Sequence, residues 1–212
     1  MSEARSYSSN FFSWIYPSRC SLCAVLGDDP ICASCMQSFE PVDVVRQPME
    51  EGPLRIVANL YAYRDRVGQA VRRLKYSRST ALAPVLAAMM AEGAERIGLV
   101  DYDLVVPIPI HWSRRCIRGF NQSELLAESF KGVVPSALTR IRRTKPQTQL
   151  SREERMHNLV GAFRASPIVS GKRVLLIDDV LTSGQTAREC AKALGDAGAI
   201  EVAALALAGE AF

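Results

Sequence analysis

The stretch VLLIDDVLTSGQTA, residues 174–187, runs four apolar residues into two aspartates and then into a small polar cluster. Four consecutive apolar positions are expected of a strand buried on both faces, the habit of a parallel sheet. The adjoining segment GQTARECAKALGDAG (184–198) has the pattern of a helix, and EVAALALAG (201–209) that of another strand. In an open α/β sheet, ligands sit at the carboxyl ends of the strands, and Asp178 and Asp179 fall at such an end. Thr182, Ser183, Gly184, Gln185 and Thr186 then supply backbone N–H groups, a helix N-terminus and three hydroxyls, which together suit an anion. Gly184 lets the backbone approach a phosphate closely. A sugar phosphate fits both halves of the segment. Its phosphate would occupy the loop, and its hydroxyls would donate to the carboxylates, which also attract a hard cation such as Mg²⁺.

Outward from this segment the chain alternates. IVANLYAY (56–63) has strand composition, and VGQAVRRLKYS (67–77) a helix pattern with Val67, Ala70, Val71 and Leu74 on one face. ALAPVLAAMMAEGAERI (81–97) is a second expected helix, with Pro84 suited to its first turn. YDLVVPIPI (102–110) is a buried strand ending on prolines, and SELLAESFKG (123–132) a helix closed by Gly132. ALTRIRR (137–143) and LVGAFRAS (159–166) have the character of short strands, joined by a polar, basic loop. The alternation predicts an α/β fold: a parallel sheet with helices on both faces. MQSFEPVDVVRQPMEEGPL (36–54) has the Pro41, Pro48, Gly52 and Pro53 of a linker. This places a boundary near residue 50, with a small module over 15–50 and the larger domain over 51–212.

The small module is defined by CSLCAVLGDDPICASC (20–35). Cys20, Cys23, Cys32 and Cys35 form two C-x-x-C pairs eight residues apart, and such pairs present four thiolates to one tetrahedral ion, normally Zn²⁺. A site closed by four protein ligands holds structure and does not catalyse. Cys116 and Cys190 have no partner at metal spacing.

The 212 residues, 48 % hydrophobic and 23 % charged, suffice for one α/β domain and an appendage. The longest apolar stretch is too short to span a membrane, and the N-terminus lacks the basic start and apolar run of a secretory signal. A cytoplasmic chain is expected, with no membrane insertion and with reduced thiols. The net charge is only +4, but residues 111–158 hold ten Lys/Arg against four Asp/Glu, and residues 64–78 hold six against one. A basic middle favours a phosphorylated or polyanionic partner.

VLLIDDVLTSGQT resembles the phosphoribosyl-pyrophosphate (PRPP) fingerprint of type I phosphoribosyltransferases, though Thr182-Ser183-Gly184 stands where that fingerprint often has two threonines and a glycine. Together with VVPIPIHWSRRCIRGFNQSELLA, RRTKPQTQLSREERMHNLVGAF and the four-cysteine module, it resembles the ComF family of competence-associated proteins from about Cys20 to Leu207. The resemblance implies a Rossmann-like type I phosphoribosyltransferase fold with a small N-terminal zinc ribbon or knuckle. It implies that Asp178 and Asp179 take the ribose hydroxyls, that 182–186 hold the 5-phosphate, and that Mg²⁺ accompanies PRPP. Val106, Pro107 and Ile108 match the pyrophosphate turn. Prolines there remove N–H donors, so Arg114, Arg115 and Arg118 would have to supply charge. Residues 142–158 correspond to the family's mobile loop, with Arg143, Thr144, Gln147 and Gln149 as polar candidates. His111 and His157 have no visible partner and stand as surface or supporting residues.

Three functions remain open from the residues. The chain transfers phosphoribosyl from PRPP to an unidentified acceptor; or it senses PRPP without turnover; or it binds single-stranded DNA through the basic region and aromatics such as Trp14, Tyr16, Trp112 and Phe120.

Overall fold

The computed structural model describes residues 18–27, 30–46, 52–76, 80–142 and 159–209. Its centre is a five-stranded sheet in the order β1-β2-β7-β6-β3. β2 (Leu54–Ala62), β7 (Glu201–Gly209), β6 (Arg173–Leu181) and β3 (Leu104–Pro107) run parallel. β1 (Pro41–Arg46) joins the edge antiparallel to β2. The stretch 36–54, expected to be a linker from its prolines, therefore carries an edge strand. Proline is tolerated at an edge because one side of that strand needs no ladder hydrogen bonds.

Side chains alternate across β6. Leu175 and Ile177 join the core on one face; Val174 and Leu176 join that on the other. The first face is covered by α2 (Asp65–Tyr76), α3 (Ala83–Arg96) and α5 (Gln122–Ala127). The second is covered by α6 (Gln185–Asp196) and by a two-stranded antiparallel ribbon of β4 (Leu138–Arg140) and β5 (Phe163–Ala165). Burial on both faces explains why β6 and β7 are apolar without alternation. The cysteine segment, with α1 (Ala33–Gln37), packs on the first face: Cys20, Leu22, Ile31, Cys35 and Phe39 share one core with Leu60, Val67 and Ala70.

Both outer strands are irregular. β1 shifts register between Pro41 and Val44, with Asp43 at φ +43°, and Arg96 of α3 donates to both Asp43 carboxylate oxygens at 2.7 Å. β3 has four residues, and past it the Val105 N–H bonds Gly132 O and the Val134 N–H bonds Val105 O, each at 2.9 Å. A short helix, α4 (Trp112–Arg118), follows β3. It buries none of its residues, so no apolar periodicity announced it. Among the described residues no helix is long and apolar enough to cross a membrane.

Candidate functional site

Asp178 and Asp179 lie near the carboxyl end of β6, flanked by β7 and the end of β3. Both carboxylates are met by the first residues of α5, each by a different one. Asp179, buried, faces α2 and α5: Lys75 Nζ lies 3.0 Å from its Oδ2, and Gln122 Nε2 donates to the same oxygen at 3.2 Å. Asp178 accepts at Oδ1 from Ser123 Oγ (3.0 Å) and from the Asp179 N–H (2.9 Å). Burial, and after it the Asp179 charge, push the Asp178 carboxyl up to about 7. Burial opposes the Lys75 ammonium, but the two carboxylates outweigh it and hold its pKa above the ordinary value.

α5 is aimed at the pair by its own cap. Asn121 Oδ1 accepts from the Ser123 N–H at 3.2 Å, while Asn121 Nδ2 donates to Ile108 O at 3.1 Å and so ties the helix to the end of β3. Gln122 Oε1 is buried without a hydrogen-bond partner. Its amide sits against Asp179, so a ligand hydroxyl arriving at the carboxylate would meet an acceptor as well.

Thr182, Ser183 and Gly184 bridge β6 and α6. Gly184 caps α6 at φ +72°, a left-handed conformation that favours glycine, and no side chain caps the helix. The first-turn N–H groups are left for an external acceptor. Arg188 Nη1 donates back to Ser183 O at 2.8 Å and steadies the loop.

The turn after β3 is different. Val106, Pro107 and Ile108 are buried or nearly so, and the Ile108 N–H already bonds Ile177 O at 2.9 Å. An anion at this turn would have to be met by side chains. Arg115 pairs with Glu124 at 2.6 Å and points outward. Arg114 and Arg118 instead line a cleft of about 270 Å³ with Lys75, Tyr76 and Ile117, Arg118 lying 5.2 Å from the Tyr76 ring centroid. His111 is buried, and its Nδ1 caps α4 by accepting from the Ser113 N–H at 3.3 Å. Arg143, Thr144, Gln147, Gln149 and His157 lie outside the described residues.

Lys75, Gln122 and Ser123 thus stand at the site; Gln122 and Ser123 fall within the block VVPIPIHWSRRCIRGFNQSELLA, which did not assign their side chains to the aspartates, and no motif marked Lys75. The density of cations in 64–78 was the only sequence signal for Lys75.

The four cysteine sulfurs lie within 4.8 Å of one another, Cys23 and Cys32 at 3.6 Å. Thiolates around a tetrahedral zinc stand about 3.8 Å apart, given a Zn–S bond of about 2.3 Å. The Leu22 and Cys32 N–H groups both donate to Cys20 Sγ at 3.4 Å. Burial raises the Cys20 thiol, but these donors and that of Cys23 bring it down to about 6; burial and the neighbouring sulfurs push Cys35 up to about 12. Sulfurs this close cannot all ionise without a cation among them, and the donor set fits zinc.

Residues 118–211 match the phosphoribosyl transferase domain family. The chain is 30 % identical over 196 residues to the DNA utilization protein YhgH of Escherichia coli, covering 86 % of each chain. It is 26 % identical to competence protein F of Haemophilus influenzae, over 84 % of this chain and 77 % of that one. With competence protein ComFC of Streptococcus pneumoniae the identity is 30 % over 148 residues, 70 % of this chain and 66 % of that one.

Proposed function

The chain belongs to the ComF family, with a phosphoribosyl transferase domain, and from that premise we propose that it binds PRPP with Mg²⁺ and transfers phosphoribosyl to an acceptor in DNA utilization. The observation that carries this is the convergence at one sheet end of two carboxylates, an uncapped helix N-terminus behind Gly184, and the basic cleft of α2 and α4. A phosphate fits the loop 182–186, ribose hydroxyls fit Asp178, Asp179 and the orphan Gln122 Oε1, and pyrophosphate fits the cations. The carboxylate oxygens suit Mg²⁺, which when bound neutralises charge on the departing pyrophosphate. The chain's own part is to orient the anomeric carbon and hold the leaving group, which is positioning more than covalent chemistry. Residues 142–158, with Arg143, Thr144, Gln147 and Gln149, are proposed as the cover that excludes water.

Calorimetric titration of PRPP and Mg²⁺ into the zinc-loaded protein tests this. Binding is expected in the wild type and a loss of about 100-fold or more in Asp178→Asn/Asp179→Asn, the worth of two charge-accepting hydrogen bonds. Equal binding by both proteins sinks the assignment.

A second proposal, single-stranded DNA binding, is favoured by Tyr76. The residue is 72 % exposed and stands between two clefts, the first also lined by Arg72 and Arg73 and the second by Arg114 and Arg118. Such binding would weaken steeply with salt and ignore the aspartates.

A further inference from the structure

Lys75 faces two ways. Its ammonium is spent on Asp179 at 3.0 Å, in a pair whose side chains are 20 % and 5 % exposed. It also forms one wall of the cleft that Arg114 and Arg118 line. Asp179 does not depend on Lys75 alone, since Gln122 Nε2 holds the same oxygen. A lysine suits a position that must re-aim. It is a compact charge on a four-carbon stem with three rotatable donors, whereas an arginine fork would be fixed to its carboxylate.

The cleft gathers positive charge in a small volume. Arg114 and Arg118 lie one helical turn apart on α4, and Lys75 closes the group from the end of α2. Burial, and after it the Arg114 charge, hold the Arg140 guanidinium below its ordinary value, so the field around Arg114 already favours an incoming anion. Pyrophosphate carries enough charge to compete with one carboxylate for one ammonium.

We propose that Lys75 is an exchangeable counter-ion. In the free protein it neutralises Asp179. When a pyrophosphate group enters the cleft on Arg114 and Arg118, Lys75 turns to it, and Asp179 is released to accept a ribose hydroxyl. Anion binding in the cleft and hydroxyl binding at the carboxylate are then coupled through one side chain, so the carboxylate is exposed only when the leaving group is in place. This rests on the sugar-phosphate function proposed above and adds the order in which that site assembles.

The test is a double-mutant cycle with inorganic pyrophosphate, without added divalent cation, followed by calorimetry on the zinc-loaded full chain. Asp179→Asn is expected to bind pyrophosphate about tenfold more tightly, since Lys75 is no longer held, a gain worth one charge-assisted hydrogen bond. Lys75→Met is expected to bind about tenfold more weakly than wild type. In Lys75→Met/Asp179→Asn the gain from Asp179→Asn should vanish. That double variant removes both partners of the Lys75–Asp179 pair together, so it reports even where Lys75→Met alone fails to fold. Unchanged pyrophosphate affinity in Asp179→Asn overturns the proposal. So does a gain that persists without Lys75, which would be a plain field effect of the lost carboxylate. Ribose 5-phosphate titrated into the wild type already saturated with pyrophosphate, when Asp179 is released, separates the two propositions. If it binds and the cycle shows no coupling, the counter-ion role falls alone; if it does not bind while the coupling is present, the counter-ion role stands and the sugar-phosphate assignment falls.

Discussion

At the scale of single residues, the adjacent carboxylates of β6 are unequal. Asp179 is buried with a cation and an amide donor; Asp178 has a hydroxyl and a backbone N–H, and its carboxyl is raised to about 7 by burial and then by its neighbour. An acid raised in the folded state favours folding while it is protonated. That contribution is complete below the ordinary carboxylate range and is lost as pH climbs through about 7. Asp178→Asn, permanently neutral, should therefore melt higher than wild type, and its advantage should widen from about pH 5 to about pH 8, where roughly 5 °C is expected. Thermal unfolding across that window checks it, and an advantage that shrinks with pH contradicts it. The aspartates were legible in the sequence because they interrupt an apolar run. Lys75, Gln122 and Ser123 were not. They reach the site from helices roughly 100 and 55 residues away along the chain, and no local pattern encodes that proximity.

At the scale of elements, legibility followed burial. β6, β7 and α6 lie where their apolar runs and helical spacing placed them, because elements covered on a whole face leave a periodic trace. β1 and α4 left none: one is a proline-started edge strand with a bulge, the other a short helix with no buried residue. The expected helix 123–132 ends at Ala127, so its last turns are irregular chain. One close approach between elements makes a prediction. Asn59 of β2 is buried and sends Nδ2 to Leu181 O at 3.4 Å, passing over Gly209 of β7. A Cβ at Gly209 would collide with the Asn59 amide and come within 2.5 Å of Leu181 O. Gly209→Ala should cost about 1–3 kcal/mol in denaturant unfolding. If that cost is absent, strands β2, β7 and β6 are less tightly joined at the end that carries the aspartates.

At the scale of the whole molecule, the cysteine segment is sewn into the larger domain. Leu22, between the first two cysteines, shares the core of α2, and its carbonyl accepts from Arg66 Nη1 (3.2 Å) and Gln69 Nε2 (3.1 Å) on that helix. Zinc removal by a chelator should therefore destabilise the entire chain by several kcal/mol and lower its melting temperature in one transition, and Cys35→Ser should do the same. Two separated transitions in calorimetry would show instead that the segment melts by itself. The four-cysteine spacing was plain in the sequence; its continuity with the main core was not, because Leu22, Ile31 and Phe39 are too few and too scattered to display a face.

The two outer strands of the sheet carry one more consequence. An edge strand with regular spacing is a template on which another polypeptide can add itself, copy upon copy. Here one edge is kinked at Asp43 and pinned there by Arg96, and the other is four residues long, ends in proline and is already met by Gly132 and Val134. Among the described residues, a sheet spoiled at both margins is a poor template for strand-by-strand polymerisation.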